Sequence, residues 1–189
     1  LSVAHQLARQ GRKVEILSRQ RSEAAGFVAA GMLAPHAEGL NGDLLKLGQL
    51  SLKRIPAWVK TIEDDSGISC GLRLCGIVVP FLSEKERDSY PTADFGQCLN
   101  RAELEEEVLG IGSCWKAGLL FSQDGQIDNR RRLMRALEKA CVGLGVHFQE
   151  GVEVLELVNE EERLHGVKIC DATGERKIIL SNEAVLCSG

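Results

Sequence analysis

Residues 2–10 (SVAHQLARQ) set Val3, Leu7 and Ala8 on one helical face, and Gly11 follows as a C-terminal stop. Residues 13–17 (KVEIL) alternate apolar and polar around β-branched side chains and read as a strand. Helix, glycine turn and strand in that order are the second and third parts of a βαβ unit. The first strand and the loop before the helix are not in the sequence. The chain is therefore expected to open inside the motif.

Further along, residues 24–37 are small and apolar, with almost no charge before Glu38. Residues 43–63 carry Leu44, Leu47, Leu50, Leu52, Ile55, Val59 and Ile62 as a helical stripe. Pro56 is a candidate kink, and Asp64 to Gly67 end the helix. Residues 71–81 read as two short strands around Gly76, and residues 114–122 as another strand. The acidic run 101–108 (RAELEEEV) is the solvated face of a helix. Asp128 can cap a helix over 129–143 that turns Leu133, Ala136, Leu137, Ala140 and Cys141 inward. Strands are expected at 146–149, 152–158, 164–170 and 175–181, with a last one over 183–189. The ends thus read as α/β and the middle, about 65–125, as a strand-rich insertion.

Composition excludes several classes. Of 189 residues, 44% are hydrophobic and 26% charged, as in an ordinary soluble globular protein. A net charge of −4 gives no reason to expect nucleic acid or an anionic membrane as partner. No apolar run reaches the roughly 18–20 residues that a membrane span needs. No signal peptide is visible, and the first residue is not Met. The seven cysteines are odd in number, form no CxxC pair and do not cluster with the four histidines, so no metal site is expected. They read as reduced thiols buried as small apolar side chains in a reducing compartment.

The opening unit has chemical consequences. In a dinucleotide-binding βαβ unit, glycines let the backbone approach the pyrophosphate, and the helix N-terminus supplies N–H groups. That loop is absent from this sequence. After the following strand an acid usually holds the ribose hydroxyls. Here Ser18 and then Arg19 stand there, readable as a weaker ribose contact or as a plain strand exit. Ala24–Glu38 (AAGFVAAGMLAPHAE) lets main chain approach a large planar ligand without obstruction, although a close helix–helix contact would use the same residues. His36 is a candidate base but reads better as a polar loop residue. Asp124 and Asp128 fit a turn and a helix cap better than a catalytic pair. Trp58 and Trp115 read as packing residues.

Three segments carry a resemblance. Ala29–Glu38 (AAGMLAPHAE) closely resembles the flavin-side motif of the glycine oxidases of thiamine biosynthesis, in the D-amino-acid oxidase family of FAD-dependent enzymes. Asp124–Leu133 (DGQIDNRRRL) resembles that family's DGxVDxRxL segment. Ala184–Gly189 (AVLCSG) resembles the strand that returns to the cofactor. The three occur in the family's order across nearly the whole chain.

The resemblance implies a mixed α/β fold, an FAD-binding Rossmann-like domain with part of a β-rich substrate domain, truncated at both ends. Residues 1–64 and 126–189 would form the FAD-binding domain and 65–125 the first part of the substrate domain. Ser18 and Arg19 would stand at the ribose, where the family commonly has an acid. Ala25 and Gly26 would wrap the diphosphate and ribityl chain. Ala30, Gly31 and Met32 would contact the isoalloxazine, and the backbone of Val154 the adenine. Ala34 and Ala37 would lie near the substrate entrance. The substrate-binding arginine would lie beyond the chain, and Arg130, Arg131 and Arg132 are no substitutes for it.

The implied reaction is oxidative deamination of a small amino acid, glycine first, to an imine that hydrolyses to oxo acid and ammonia. FAD takes the hydride and O₂ leaves as H₂O₂, so no protein base is required. Residues 1–189 alone would be inactive. A sarcosine- or D-amino-acid-type oxidase, a dehydrogenase and a flavin-free structural fragment are the alternatives. A homo-oligomer is left open, and the compartment is the cytoplasm or a plastid stroma.

Overall fold

In the computed structural model, which describes residues 1–127 and 130–187, the opening periodicity becomes α1 (Ser2–Arg9) and β1 (Glu15–Ser18). Then come β2 (Met32–Leu33), α2 (Gly42–Ser66), β3 (Leu72–Arg73), β4 (Ile77–Phe81), α3 (Glu84–Asp88), β5 (Gln97–Leu99) and α4 (Arg101–Glu107). The chain continues through β6 (Ala117–Phe121), β7 (Gly125–Ile127), α5 (Arg130–Gly143), β8 (His147–Glu150), β9 (Glu153–Glu160), β10 (Arg163–Cys170) and β11 (Arg176–Leu180). The fold is mixed α/β, with one parallel pair and three antiparallel sheets. The chain divides into two compact units, Leu1–Ala29 with Met134–Gly189, and Ala30–Leu133.

In the first unit β1 and β8 pair in parallel, Glu15 opposite His147 and Ser18 opposite Glu150. Ala4, Ala8, Cys141 and Val146 form a core against Val14, Ile16 and Phe148. The buried face of α1 is Ala4, His5 and Ala8, whereas Val3, expected inside, is exposed. Two alanines one turn apart let the helix backbone approach the sheet closely. Strands β9, β10 and β11 form an antiparallel meander in the order β11-β10-β9. Val152, Val167 and Ile169 make its core with Leu17 and Ile179. Residues 183–187 are not a strand, against expectation; among the described residues no backbone ladder partner is found for them, and an extended segment is a strand only when paired. Ser188 and Gly189 lie outside the described residues.

In the second unit β2 and β3 flank β7, and β4 and β5 flank β6. Phe81, Leu119 and Phe121 form the core there. Helix α2 runs uninterrupted through Pro56 and ends at Gly67, a left-handed cap at φ 67°. Its apolar stripe divides: Val59 and Ile62 are buried, whereas Leu44, Leu47 and Leu50 are exposed. Helix α4 begins with a capping box, Asn100 accepting from the N–H groups of Ala102 and Glu103 while Glu103 accepts from Asn100 N–H. Strands β2, β5 and β7 and helix α3 had no clear sequence signal, being only two to five residues long. All seven cysteines are free, but only Cys70 and Cys141 are buried; Cys75, Cys98, Cys114 and Cys187 are exposed. Loops and strand edges hold those four, which corrects the expectation of buried thiols.

Candidate cofactor and substrate sites

Strand β1 leads out of the parallel pair at Ser18, whose carbonyl accepts from Val152 N–H at 3.1 Å. The chain then makes two short 3-10 turns, Arg21–Glu23 and Ala25–Phe27. Arg21 anchors the first. Its guanidinium pairs with both carboxylate oxygens of Glu138 on α5, Nε to Oε1 being 2.6 Å, and lies 5.8 Å from the Phe148 ring centre. The hydrogen bond to Glu138 holds that guanidinium above its already high value. Arg21 N–H also reaches Glu150 Oε1 at 3.4 Å. Periodicity gave no sign of Arg21, because its partners are 117 and 129 residues away.

Within this unit Ser18 is half-buried and Arg19 exposed. Ala25 is exposed and Gly26 half-buried, a Cβ at Gly26 falling 2.5 Å from Met134 Sδ. Val154, on edge strand β9, is paired with Ile169 on one side only, next to a register shift.

The second unit holds Ala30, Gly31, Met32, Ala34 and Ala37. Ala30 and Met32 are exposed, Met32 by 53%. Gly31 has φ 89°, and a Cβ there would stand 2.5 Å from the Ile127 carbonyl oxygen. Its own carbonyl accepts from Ile127 N–H at 2.8 Å. Glycine is therefore required by the neighbouring strand.

Beyond Leu33 the loop turns inward around a buried pair. His36 and Asp124 are 3% and 0% exposed. His36 Nδ1 lies 2.7 Å from Asp124 Oδ1, and Asp124 Oδ2 accepts from His36 N–H at 3.2 Å and Ala37 N–H at 2.8 Å. The Gln49 amide meets His36 Nε2 at 3.1 Å; with that amide donating, the Nδ1 hydrogen goes to Asp124. Thr92 Oγ1 donates to the His36 carbonyl at 2.6 Å and Tyr90 Oη to the Ala37 carbonyl at 2.8 Å. Burial raises the Tyr90 phenol, which keeps it a donor. The His36 ring stacks at 6.2 Å on Phe121 and tilts at 5.2 Å against Phe95.

His36 is a polar loop residue whose ring is buried. Both its ring nitrogens are engaged, which removes it as a base. Asp124 is the hub of the loop, a larger role than the turn expected of it. Ala34 is buried and Ala37 half-buried, both within this packing. Asp128 lies outside the described residues, Arg131 and Arg132 are exposed, and Trp58 and Trp115 are half-buried. Among the described residues, no group of three or more His, Cys, Asp or Glu side chains is placed to hold a metal ion.

Residues 1–189 match the model of the DAO family of FAD-dependent oxidoreductases over their whole length. The chain is a member of that DAO family. FAD is the cofactor of the family. A curated relative, the bifunctional protein ThiO/ThiG of Synechocystis sp. (strain ATCC 27184 / PCC 6803 / Kazusa), is 34% identical over 173 residues, covering 88% of this chain and 25% of the relative. Among solved structures, glycine oxidase from Geobacillus kaustophilus superposes with a TM-score of 0.85 at 22% identity, over 100% of this chain and 52% of that one. Glycine oxidase from Bacillus cereus ATCC 14579 gives 0.80 at 22% identity, over 96% and 51%. At that identity the superpositions show the fold, and this chain spans about half of either enzyme.

The residues fit the DAO cofactor. In the first unit Ala24, Ala25, Val28 and Ala29 are exposed apolar side chains in an uncharged stretch, Val28 by 78%. Such a run is what a large planar ligand would cover.

Proposed function

We propose that the protein carrying this chain is an FAD-dependent oxidase of a small amino acid, glycine-oxidase-like, acting on CH–NH₂ or CH–NH groups. The observation that carries this reading is the uncharged stretch Ala24–Ala29, with Ala24, Ala25, Val28 and Ala29 exposed, in a chain of the DAO family. When bound, FAD would supply the redox chemistry for oxidising the amine, with O₂ as the electron acceptor. The imine hydrolyses to oxo acid and ammonia, an output that suits thiamine thiazole supply.

This chain's residues bind and orient. Residues 1–64 and 126–189 serve the FAD-binding part and 65–125 begin the substrate part; that division follows contact with cofactor, whereas the compact units follow packing within the chain. Ser18, Arg19, Ala25, Gly26 and Val154 hold the adenosine and diphosphate. Ala30, Gly31 and Met32 face the isoalloxazine, and Ala34 and Ala37 border the substrate entrance. The His36–Asp124 pair holds the loop that carries those two alanines. The substrates are a small amino acid and O₂. No helix among the described residues is long and apolar enough to cross a membrane. The compartment proposed is the cytoplasm, or a plastid stroma.

Purified full-length protein should be yellow and should release H₂O₂ with glycine. Loss of the flavin band after gentle purification would refute the reading. Flavin without peroxide from glycine, sarcosine or D-alanine would refute the oxidase and leave the fold.

A further inference from the structure

We propose that Glu150 supplies the carboxylate that grips the adenosine ribose of FAD, doing from β8 what an acid at the end of β1 does in other dinucleotide-binding units. The inference rests on the flavin reading above. Dinucleotide folds place ligands at the carboxyl ends of their parallel strands, and an acid there accepts from the ribose hydroxyls. Strand β1 ends here in Ser18, which offers one hydroxyl and no charge.

The register provides the replacement. Ser18 and Glu150 are paired positions of the parallel ladder. Paired positions present their side chains to the same face, one strand spacing apart, about 4.8 Å. The glutamate chain is two carbons longer than a serine's, enough to make up much of that offset. Glu150 is exposed at the end of its strand. A carboxylate accepts about four hydrogen bonds, and the contact from Arg21 N–H at 3.4 Å uses one weakly. The Arg21 guanidinium gives its direct side-chain hydrogen bonds to Glu138 and interacts with Glu150 through charge alone, so the Glu150 carboxylate keeps most of its acceptor positions.

Two further facts point the same way. Val152 N–H donates to the Ser18 carbonyl at 3.1 Å, so the chain after Glu150 folds over the end of β1. Val154, proposed at the adenine, follows four residues after Glu150. One short stretch, Glu150–Val154, would then hold both ribose and base. A carboxylate there also argues against a 2′-phosphorylated ribose, which the exposed Arg19 alone would have suggested.

The test uses apo-protein prepared from the full-length enzyme. FAD affinity is read by flavin fluorescence quenching, with ADP, 2′-deoxy-ADP and 2′,5′-ADP as competitors. E150Q keeps an acceptor for Arg21 N–H and so preserves the turn. It should weaken FAD binding about 10- to 100-fold, the loss of a charged hydrogen-bond acceptor, and abolish the preference for ADP over 2′-deoxy-ADP. The double variant S18E/E150Q should restore both, which a merely misfolded E150Q would not allow. FAD affinity and ADP preference unchanged in E150Q would overturn this inference alone. Tighter competition by 2′,5′-ADP than by ADP would also overturn it. No FAD binding by the parent protein would overturn it together with the flavin reading.

Discussion

Two groups 88 positions apart, His36 and Asp124, form a buried hydrogen-bonded pair. Replacing Asp124 by alanine strands two buried donors, the Nδ1 hydrogen and N–H of His36, and a half-buried one, the N–H of Ala37. Leaving a buried donor unsatisfied costs about 1–3 kcal/mol. D124A should lower the urea midpoint accordingly, and a loss within experimental error would show the pair to be dispensable. Cys70 gives a pH-dependent case. Burial, with a smaller push from Glu63, raises its thiol from 9.0 to about 11. The unfolded thiol ionises first, so the contribution of Cys70 to stability is complete below pH 9.0 and falls as pH rises toward about 11. Urea midpoints of the parent protein should decline over that window, and C70A should decline less. Equal slopes would remove Cys70 as a cause.

Among elements, helices announced themselves best. Helix α2 was legible from its leucine stripe, and the stripe also misled. Val59 and Ile62 face the core, but Leu44, Leu47 and Leu50 do not. Periodicity says which residues share a face; it does not say what covers each turn of it. Helix α4 shows the opposite. Its surface is acidic and solvated, Leu104 being its buried residue, and its capping box does much of the work of starting it. N100A should cost about 1 kcal/mol, measured as a shift in the denaturation midpoint; an unchanged midpoint would show that packing of Leu104 alone suffices. The short strands β2 and β7 are the converse of both. Two or three residues carry too little pattern to be read alone, and β2 exists because β7 offers it a ladder, as it does β3.

For the molecule as a whole, local order was written in the residues. The α1–β1 pair, helices α2 and α5 and the meander β9–β11 follow from spacing within ten or twenty positions, where backbone geometry imposes its own period. The segment Ala29–Glu38, with its order relative to Asp124–Leu133, was enough to identify a flavin-dependent family. What only the tertiary structure decided is which distant residues meet. The register that sets Ser18 beside Glu150, the grip of Arg21 on Glu138 and the burial of His36 on Asp124 have no local signature. Each depends on strand pairing or packing between segments far apart in the chain. A charged or polar residue looks the same in sequence whether water or a buried partner satisfies it, and only the fold supplies that partner.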